Sequence, residues 1–442
     1  MCNGSIMDKL ISFALPLMLS GILQLMFNAV DLVVVGHFSG QEALAAVGST
    51  TALIAVFTNL FIGISLGANV LAARFYAAGR EKEMSETVHT SIMLALISGV
   101  AMAIVGVIFA KGALLLMDTP DNVINLSTLY MRIYFMGMPF FMLYNYGAAI
   151  LRAVGDTKRP LLFLIISGVS NAILNLILVI IFHLGVAGVA IGTVMSQLMS
   201  CVLVLRCLCK TQSSYQLHFD RLAIKGDYVK LIFQVGIPAG IQSTVINFSN
   251  VLLQSSVNSF GATAMAGYTA ANNLLGFLYV SVNAVTQACM SFTSQNYGVG
   301  KYKRMDRVLL DCLGLTVVVA GVLGGCVYLF GPQILRIYTS EAGVISCGME
   351  ILSITTIPYF LCGIMDLFPG SLRGMGYSAV PMVLSVIGTV GTRILWIYGF
   401  FPHNRTLFFL FISYPGSWLI TIVMQVICYL YVRKRCVGAQ KV

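Results

Sequence analysis

LRAVGDTKRP, residues 151–160, returns as LRGMGYSAVP at residues 372–381, 221 positions later. YAAGREKEM at 76–84 returns as YGVGKYKRM at 297–305, again 221 apart. Pro16 and Phe38 find counterparts in Pro238 and Phe260 at an offset of 222. Blocks that recur at nearly one spacing mark an internal duplication. Between the copies lies the longest polar connection of the chain, CLCKTQSSYQLHFDRLAIKGDY at 207–228. The chain therefore reads as two halves, 1–209 and 230–442, joined by a linker at 210–229.

Outward from these blocks the sequence is overwhelmingly apolar. Of its 442 residues 58% are hydrophobic and 10% charged, against about 25% charged in soluble domains. Twelve apolar segments fall at 10–36, 44–73, 88–110, 127–151, 160–182, 186–209, 230–258, 265–294, 308–330, 347–371, 379–401 and 407–432. Each reaches the roughly 20 residues that a bilayer crossing needs. Long runs, unlike the ~10-residue alternating segments of a barrel, require helices, which satisfy their own backbone groups in lipid. The predicted fold class is an all-α polytopic membrane protein. Its twelve transmembrane helices form two six-helix lobes related by a parallel repeat, because an even number of spans separates equivalent points.

Charge sets the orientation. Of 26 Lys and Arg, 21 fall in one set of loops and at the termini: Arg74, Arg80, Lys82, Arg152, Lys158, Arg159, Arg206, Lys210, Arg221, Lys225, Lys230, Lys301, Lys303, Arg304, Arg307, Arg373, Lys9, Arg433, Lys434, Arg435 and Lys441. By the positive-inside rule that side is cytoplasmic, and both termini lie there. The net charge of +10 is explained by this bias, so no nucleic-acid partner is expected. The eleven cysteines are scattered through the spans without a CxxC pair and read as small packing residues, not as disulfides or metal ligands. Residues 1–10 lack a charged n-region and cleavage site, so the first apolar run is expected to remain in the mature chain. No P-loop, HExxH or nucleophile elbow occurs and the five histidines do not cluster, so neither an ATP-driven pump nor an enzyme is expected. A membrane-embedded transferase would need clustered acids or histidines.

Only Asp31 and Asp366, of sixteen acids, lie well inside spans. A carboxylate in a bilayer costs roughly 2.5–3.5 kcal/mol on insertion scales and needs a partner, a proton or a cation. Asp31, in QLMFNAVDLVVVGH at 24–37, is therefore either a structural acid neutralised by a neighbour or an ion or proton site. Asn171 and Asn175, four apart, share a helix face in span five, and Thr193 and Gln197 follow in span six. By depth all sit in the outer half of the membrane. One carboxylate with amide and hydroxyl oxygens suits a hard cation, and a lone carboxyl away from water also holds a proton. The same side chains serve equally as interhelical hydrogen-bond glue.

In the second half Asp366, near the cytoplasmic end of span ten, and Arg393, in span eleven, are expected to pair or to form a merely polar site, the alternative being that Asp366 is a second proton or substrate site. Gln24, Asn28, Met136, Phe140, Tyr144, Gln197, Asn272, Asp366 and Arg393 are the candidate lining of a substrate cavity. The Met and aromatic residues among them suit loose specificity and are also ordinary packing residues. Pro16, Pro139, Pro238 and Pro358 are kink candidates.

Several stretches together resemble the multidrug and toxic compound extrusion (MATE) family: NAVDLVVVGH with FSGQEALAAVG, LRAVGDTKRP and its copy LRGMGYSAVP, NAILNLILV, and GVAGVAIGTVMSQ. The resemblance covers nearly the whole chain. It implies a V-shaped two-lobe fold and secondary-active efflux of amphipathic, often cationic compounds by antiport against Na⁺ or H⁺, with alternating access. It implies no cofactor, a location in the bacterial cytoplasmic membrane and, as expected partners, the lipid bilayer and small amphipathic organic substrates of a monomeric protein. Carried over residue by residue, the family's cation site in the first lobe maps onto Asp31, Asn171, Asn175 and Thr193. Where some members have a second acid this chain has Asn175, one negative charge fewer for Na⁺. Where some have Glu in span seven it has Ile246. The alternative reading is a lipid-linked oligosaccharide or lipid flippase of a related two-lobe fold.

Overall fold

A computed structural model describes residues 1–117 and 119–438; Lys441, counted among the cytoplasmic bases, lies outside them. The described chain is helical almost throughout. The helices are α1 (Ile6–Phe38), α2 (Gln41–Ala77), α3 (Glu81–Leu116), α4 (Asp121–Met136), α5 (Met138–Ala153), α6 (Lys158–Leu176), α7 (Gly185–Lys210) and α8 (Gly226–Asn258). They continue with α9 (Ala262–Gly298), α10 (Tyr302–Tyr338), α11 (Ala342–Thr356), α12 (Tyr359–Gly374), α13 (Ala379–Ser385), α14 (Thr392–Leu395), α15 (Leu407–Phe411) and α16 (Ser413–Gly438). Among the described residues ten helices are long and apolar enough to cross a membrane. The α11–α12 pair, bent by 48° at its junction, makes an eleventh. The fourth apolar segment is the pair α4–α5.

Both broken spans have local causes. Pro139 occupies the first turn of α5 just after Gly137, and Pro358 stands at the start of α12. A proline ring cannot donate to the preceding turn and clashes with it, so the chain restarts there. Pro16 and Pro238, in contrast, lie inside the continuous helices α1 and α8. Wide π-helical turns interrupt two further spans, at Ile177–Ile181 after α6, and at Val386–Gly391 and Trp396–Phe400 on either side of α14.

The duplication is written in the backbone as well. Gly40, Gly79 and Gly155 have φ of 89°, 65° and 100°, and Gly261, Gly300 and Gly376, each 221 residues on, have 92°, 70° and 95°. These left-handed turns end or begin equivalent helices in each half, and glycine alone takes them without strain.

Two compact units are distinguished by their internal packing, residues 22–240 and residues 1–21 with 241–442. The divisions fall inside α1 and inside α8. In the first unit Met131, Met138, Met142, Tyr146 and Leu151 are fully buried in one apolar core. There α2 and α8 cross very closely: a Cβ on Gly63 or Gly67 would overlap the α8 backbone at Gly240 or Ile232, and one on Gly236 or Gly240 the α2 backbone at Ile64 or Leu60. Small residues spaced four apart let helices approach in this way. The second unit has two cores, one around Tyr268, Leu278 and Trp418 and one around Phe13, Phe292 and Leu372. Its loop bases are used: Lys301 donates to the Cys2 carbonyl at 3.0 Å and to Asn3 Oδ1 at 2.7 Å, and Arg304 to the Gly4 carbonyl at 2.8 Å.

Candidate functional site

The site is built from the later turns of α1 together with α6 and α7, all within the unit 22–240. Asp31 projects from α1 and is half-buried. Asn175 Nδ2 donates to its Oδ1 at 2.6 Å. Asn171 satisfies its surroundings with its amide nitrogen towards the same oxygen at 2.8 Å and its amide oxygen accepting from the Thr193 backbone N–H at 3.3 Å; amide orientation is set by the network around it. The Thr193 hydroxyl donates to the Val189 carbonyl at 2.9 Å. Asp31, Asn171, Asn175 and Thr193 are thus brought together, as their spacing and depth permit.

Two glycines make the assembly possible. A side chain at Gly168 would overlap the ring of Phe27, and one at Gly192 would overlap the Asn175 amide oxygen. The first lets α1 lie against α6; the second lets Asn175 stand against α7. On α4, Tyr130 and Tyr134 lie within reach of the Asp31 charge. Neither glycine and neither tyrosine is singled out by the sequence reading. The glycines carried a faint signal, as isolated Gly within apolar helices often marks a close approach.

Among the described residues no Lys or Arg forms an ion pair with Asp31. Its negative charge is met by two amide N–H donors, and hydrogen bonds to an ionised acceptor are about twice as strong as neutral ones. Amides both donate and accept. Turned about, the same two side chains would offer oxygens to a cation or to a protonated carboxyl. The Asn175 Oδ1 atom is buried with no donor, an acceptor already in place beside the acid.

The remaining candidates scatter. Gln24 and Asn28 occupy the same face of α1 as Asp31, seven and three residues before it, and both are exposed. Met136 is exposed at the last position of α4 and Phe140 is half-buried. Tyr144 donates its hydroxyl to the Pro160 carbonyl at 3.1 Å, tying α5 to α6. Gln197 Oε1 is buried and without a donor, facing Gly137 at the α4–α5 break. Asn272 is exposed on α9, in the other unit.

The expected pairing of Asp366 with Arg393 is not made. The charge that reaches Asp366 is that of Arg373 on the same helix, which also donates to Gln242 Oε1 at 2.6 Å. Depth explains the difference. Asp366 stands eight residues from the end of α12 and Arg393 fourteen from the start of α13, about 12 and 21 Å along their helices at 1.5 Å per residue. Arg393 instead donates from Nη1 to Asn250 Oδ1 at 2.9 Å.

Comparison with known proteins follows the same outline. A family profile described as MatE matches residues 16–177 and 238–398. "Probable multidrug resistance protein YoeA" of Bacillus subtilis is 29% identical over 433 residues, covering 96% of this chain and 93% of its own. "Probable multidrug resistance protein NorM" of Thermotoga maritima is 25% identical over 402 residues, covering 88% and 84%. The solved structure described as "Crystal structure of MATE in the bent conformation" superposes with a TM-score of 0.89 at 20% identity, covering 99% of this chain and 97% of its own.

Proposed function

The chain belongs to the MatE family of multidrug transporters, and from that premise we propose that it exports amphipathic, cationic compounds in exchange for protons entering the cell, with Asp31 as the group that takes up and releases the proton. The observation that carries this reading is the company Asp31 keeps: two amides and, among the described residues, no ion-pairing base. An acid held by a fixed arginine would have little to exchange. One held by amides can lose its charge and keep its partners, because each amide has a donor and an acceptor to offer.

Proton and substrate are coupled if protonated Asp31 favours one arrangement of α1 and ionised Asp31 another, since a ligand shifts a conformational balance only through differential affinity. The lobes that alternate are 1–209 and 230–442, hinged through the linker 210–229, with both termini in the cytoplasm. The family match to 16–177 and again to 238–398 supports that division. Asn171, Asn175 and Thr193 hold Asp31 in register, while Gln24 and Asn28, on its helix face, belong to the substrate path. Na⁺ is the rival ion; a single carboxylate is little charge to strip Na⁺ of its water, and one proton suffices to neutralise it.

The test is efflux of a cationic dye from cells that lack other pumps. Asp31→Asn is expected to reduce efflux to the level of cells without the transporter, with the protein still in the membrane; efflux at the wild-type rate overturns the assignment. A flippase for lipid-linked sugars is the second reading, favoured by one observation, the buried cation Arg393. It predicts no dye efflux from wild type in the same assay.

A further inference from the structure

We propose that the second half of the chain carries a binding site for a monovalent anion centred on Arg393. The inference starts from the repeat. At its offset of 221–222, Asn28 corresponds to Asn250, Asn171 to Thr392 and Thr193 to Tyr414, whereas Asp31 corresponds to Leu253. The helix junction that surrounds an acid in the first half therefore recurs in the second without the acid, and a base stands in it.

Arg393 is 3% exposed. Its Nη1 donates to Asn250 Oδ1 at 2.9 Å, its guanidinium lies 4.1 Å above the Tyr414 ring, and its Nε has no acceptor. Among the described residues no carboxylate pairs with it. A buried charge is costly unless it is paired and hydrogen-bonded. The two contacts present, an amide oxygen and a ring face, carry no negative charge to balance it. A carboxylate or halide taking the place of the Asn250 oxygen, or meeting the free Nε, would supply the opposite charge that is missing, and Asn250 and Tyr414, both half-buried, mark the side from which it would enter.

The backbone adds a second, independent sign. Arg393 sits between π-helical turns at Val386–Gly391 and Trp396–Phe400. The positions equivalent to the first of these, 165–170, are plain α-helix within α6. The extra widening is thus inserted only in the half that carries the arginine, and such turns are frequent at functional sites. The ligand chemistry is a single negative charge with oxygen or halide lone pairs, supplied either by a free halide or by the carboxylate of an organic solute. This site does not depend on the efflux reading, and its test needs no transport.

The chain's two tryptophans report on it directly. Trp396 is three residues from Arg393, and the Trp418 ring lies 5.7 Å from that of Tyr414. Full-length protein in nanodiscs is titrated with sodium iodide, a tryptophan quencher, at constant ionic strength held with sodium sulfate, a divalent anion. Wild type is expected to give a saturable component on top of linear collisional quenching, relieved by sodium benzoate or sodium chloride and unaffected by exchange of sodium for tetramethylammonium. Arg393→Gln is expected to lose the saturable component. Arg393→Lys is expected to keep it with affinity about tenfold weaker, since an ammonium lacks the planar fork. Linear quenching in wild type, a saturable component that neither benzoate nor chloride relieves, or one that persists in Arg393→Gln, each overturns the site. If Arg393→Gln does not fold, the wild-type competition decides alone. Relief by benzoate at lower concentration than chloride identifies an organic carboxylate as the ligand; relief by chloride at equal or lower concentration identifies a halide.

Discussion

Asp31 is held by amides, and what those amides can become sets the sharpest residue-level expectations. Asn175→Asp would add a second carboxylate at hydrogen-bond distance from the first. Two carboxylates and an amide make a better cradle for a hard cation than one, so dye efflux by this variant, measured at fixed pH with and without NaCl, should become Na⁺-stimulated. Unchanged Na⁺ response would contradict the assigned geometry. Gly192→Ala would push a methyl group into the Asn175 amide. Overpacking of this kind costs about 1–3 kcal/mol, so the variant should melt lower and lose efflux together, while the same change at Gly48, which meets open space, should do neither. The sequence made the amides legible because two Asn four apart on one helix share a face. It could not make Gly192, Gly168, Tyr130 or Tyr134 legible, because their part in the site is a contact between helices, and helical period says nothing about which neighbour a face meets. Arg393 was misread for the same reason: an acid and a base in adjacent spans invite pairing on paper, and only their depths refuse it.

The α2–α8 crossing brings two backbones into close contact, with Gly63, Gly67, Gly236 and Gly240 at its centre. Replacing Gly240 with Ala should lower the melting temperature in detergent, by a stability loss of about 1–3 kcal/mol; an unchanged melting curve would mean that the helices can part there freely. Ten of the apolar segments that hydropathy marks coincide with helices long and apolar enough to cross a membrane, and another with the bent pair α11–α12, because a bilayer crossing is a coarse and strong constraint. Hydropathy underestimated their length. The third, read as 88–110, runs as a helix from Glu81 to Leu116, since helices continue into the polar zone beyond the apolar stretch that hydropathy detects. Proline marked both broken spans, at Pro139 and Pro358, yet gave the same warning at Pro16 and Pro238, where the helix continues. The π turns were invisible, as a one-residue widening leaves no periodic trace in a short apolar run.

At the scale of the whole molecule, the repeat carries the organisation: equivalent glycines in equivalent left-handed turns, and a family match that begins afresh at residue 238. The gathering of Lys and Arg in one set of loops and at the termini predicts that a fluorescent protein fused after Val442 will fold and fluoresce in the cytoplasm, whereas a periplasmic phosphatase fused there will be inactive; the reverse pattern would contradict the orientation. The central claim is that the proton on Asp31 is what the two halves exchange for substrate. Its most direct test is dye transport in proteoliposomes under a pH gradient and a Na⁺ gradient imposed separately. Wild type should move dye against its gradient when protons can flow the other way, not when Na⁺ alone can, and Asp31→Asn should move none under either. Accumulation driven by Na⁺ alone in the wild type, or proton-driven accumulation that survives in Asp31→Asn, would contradict the account.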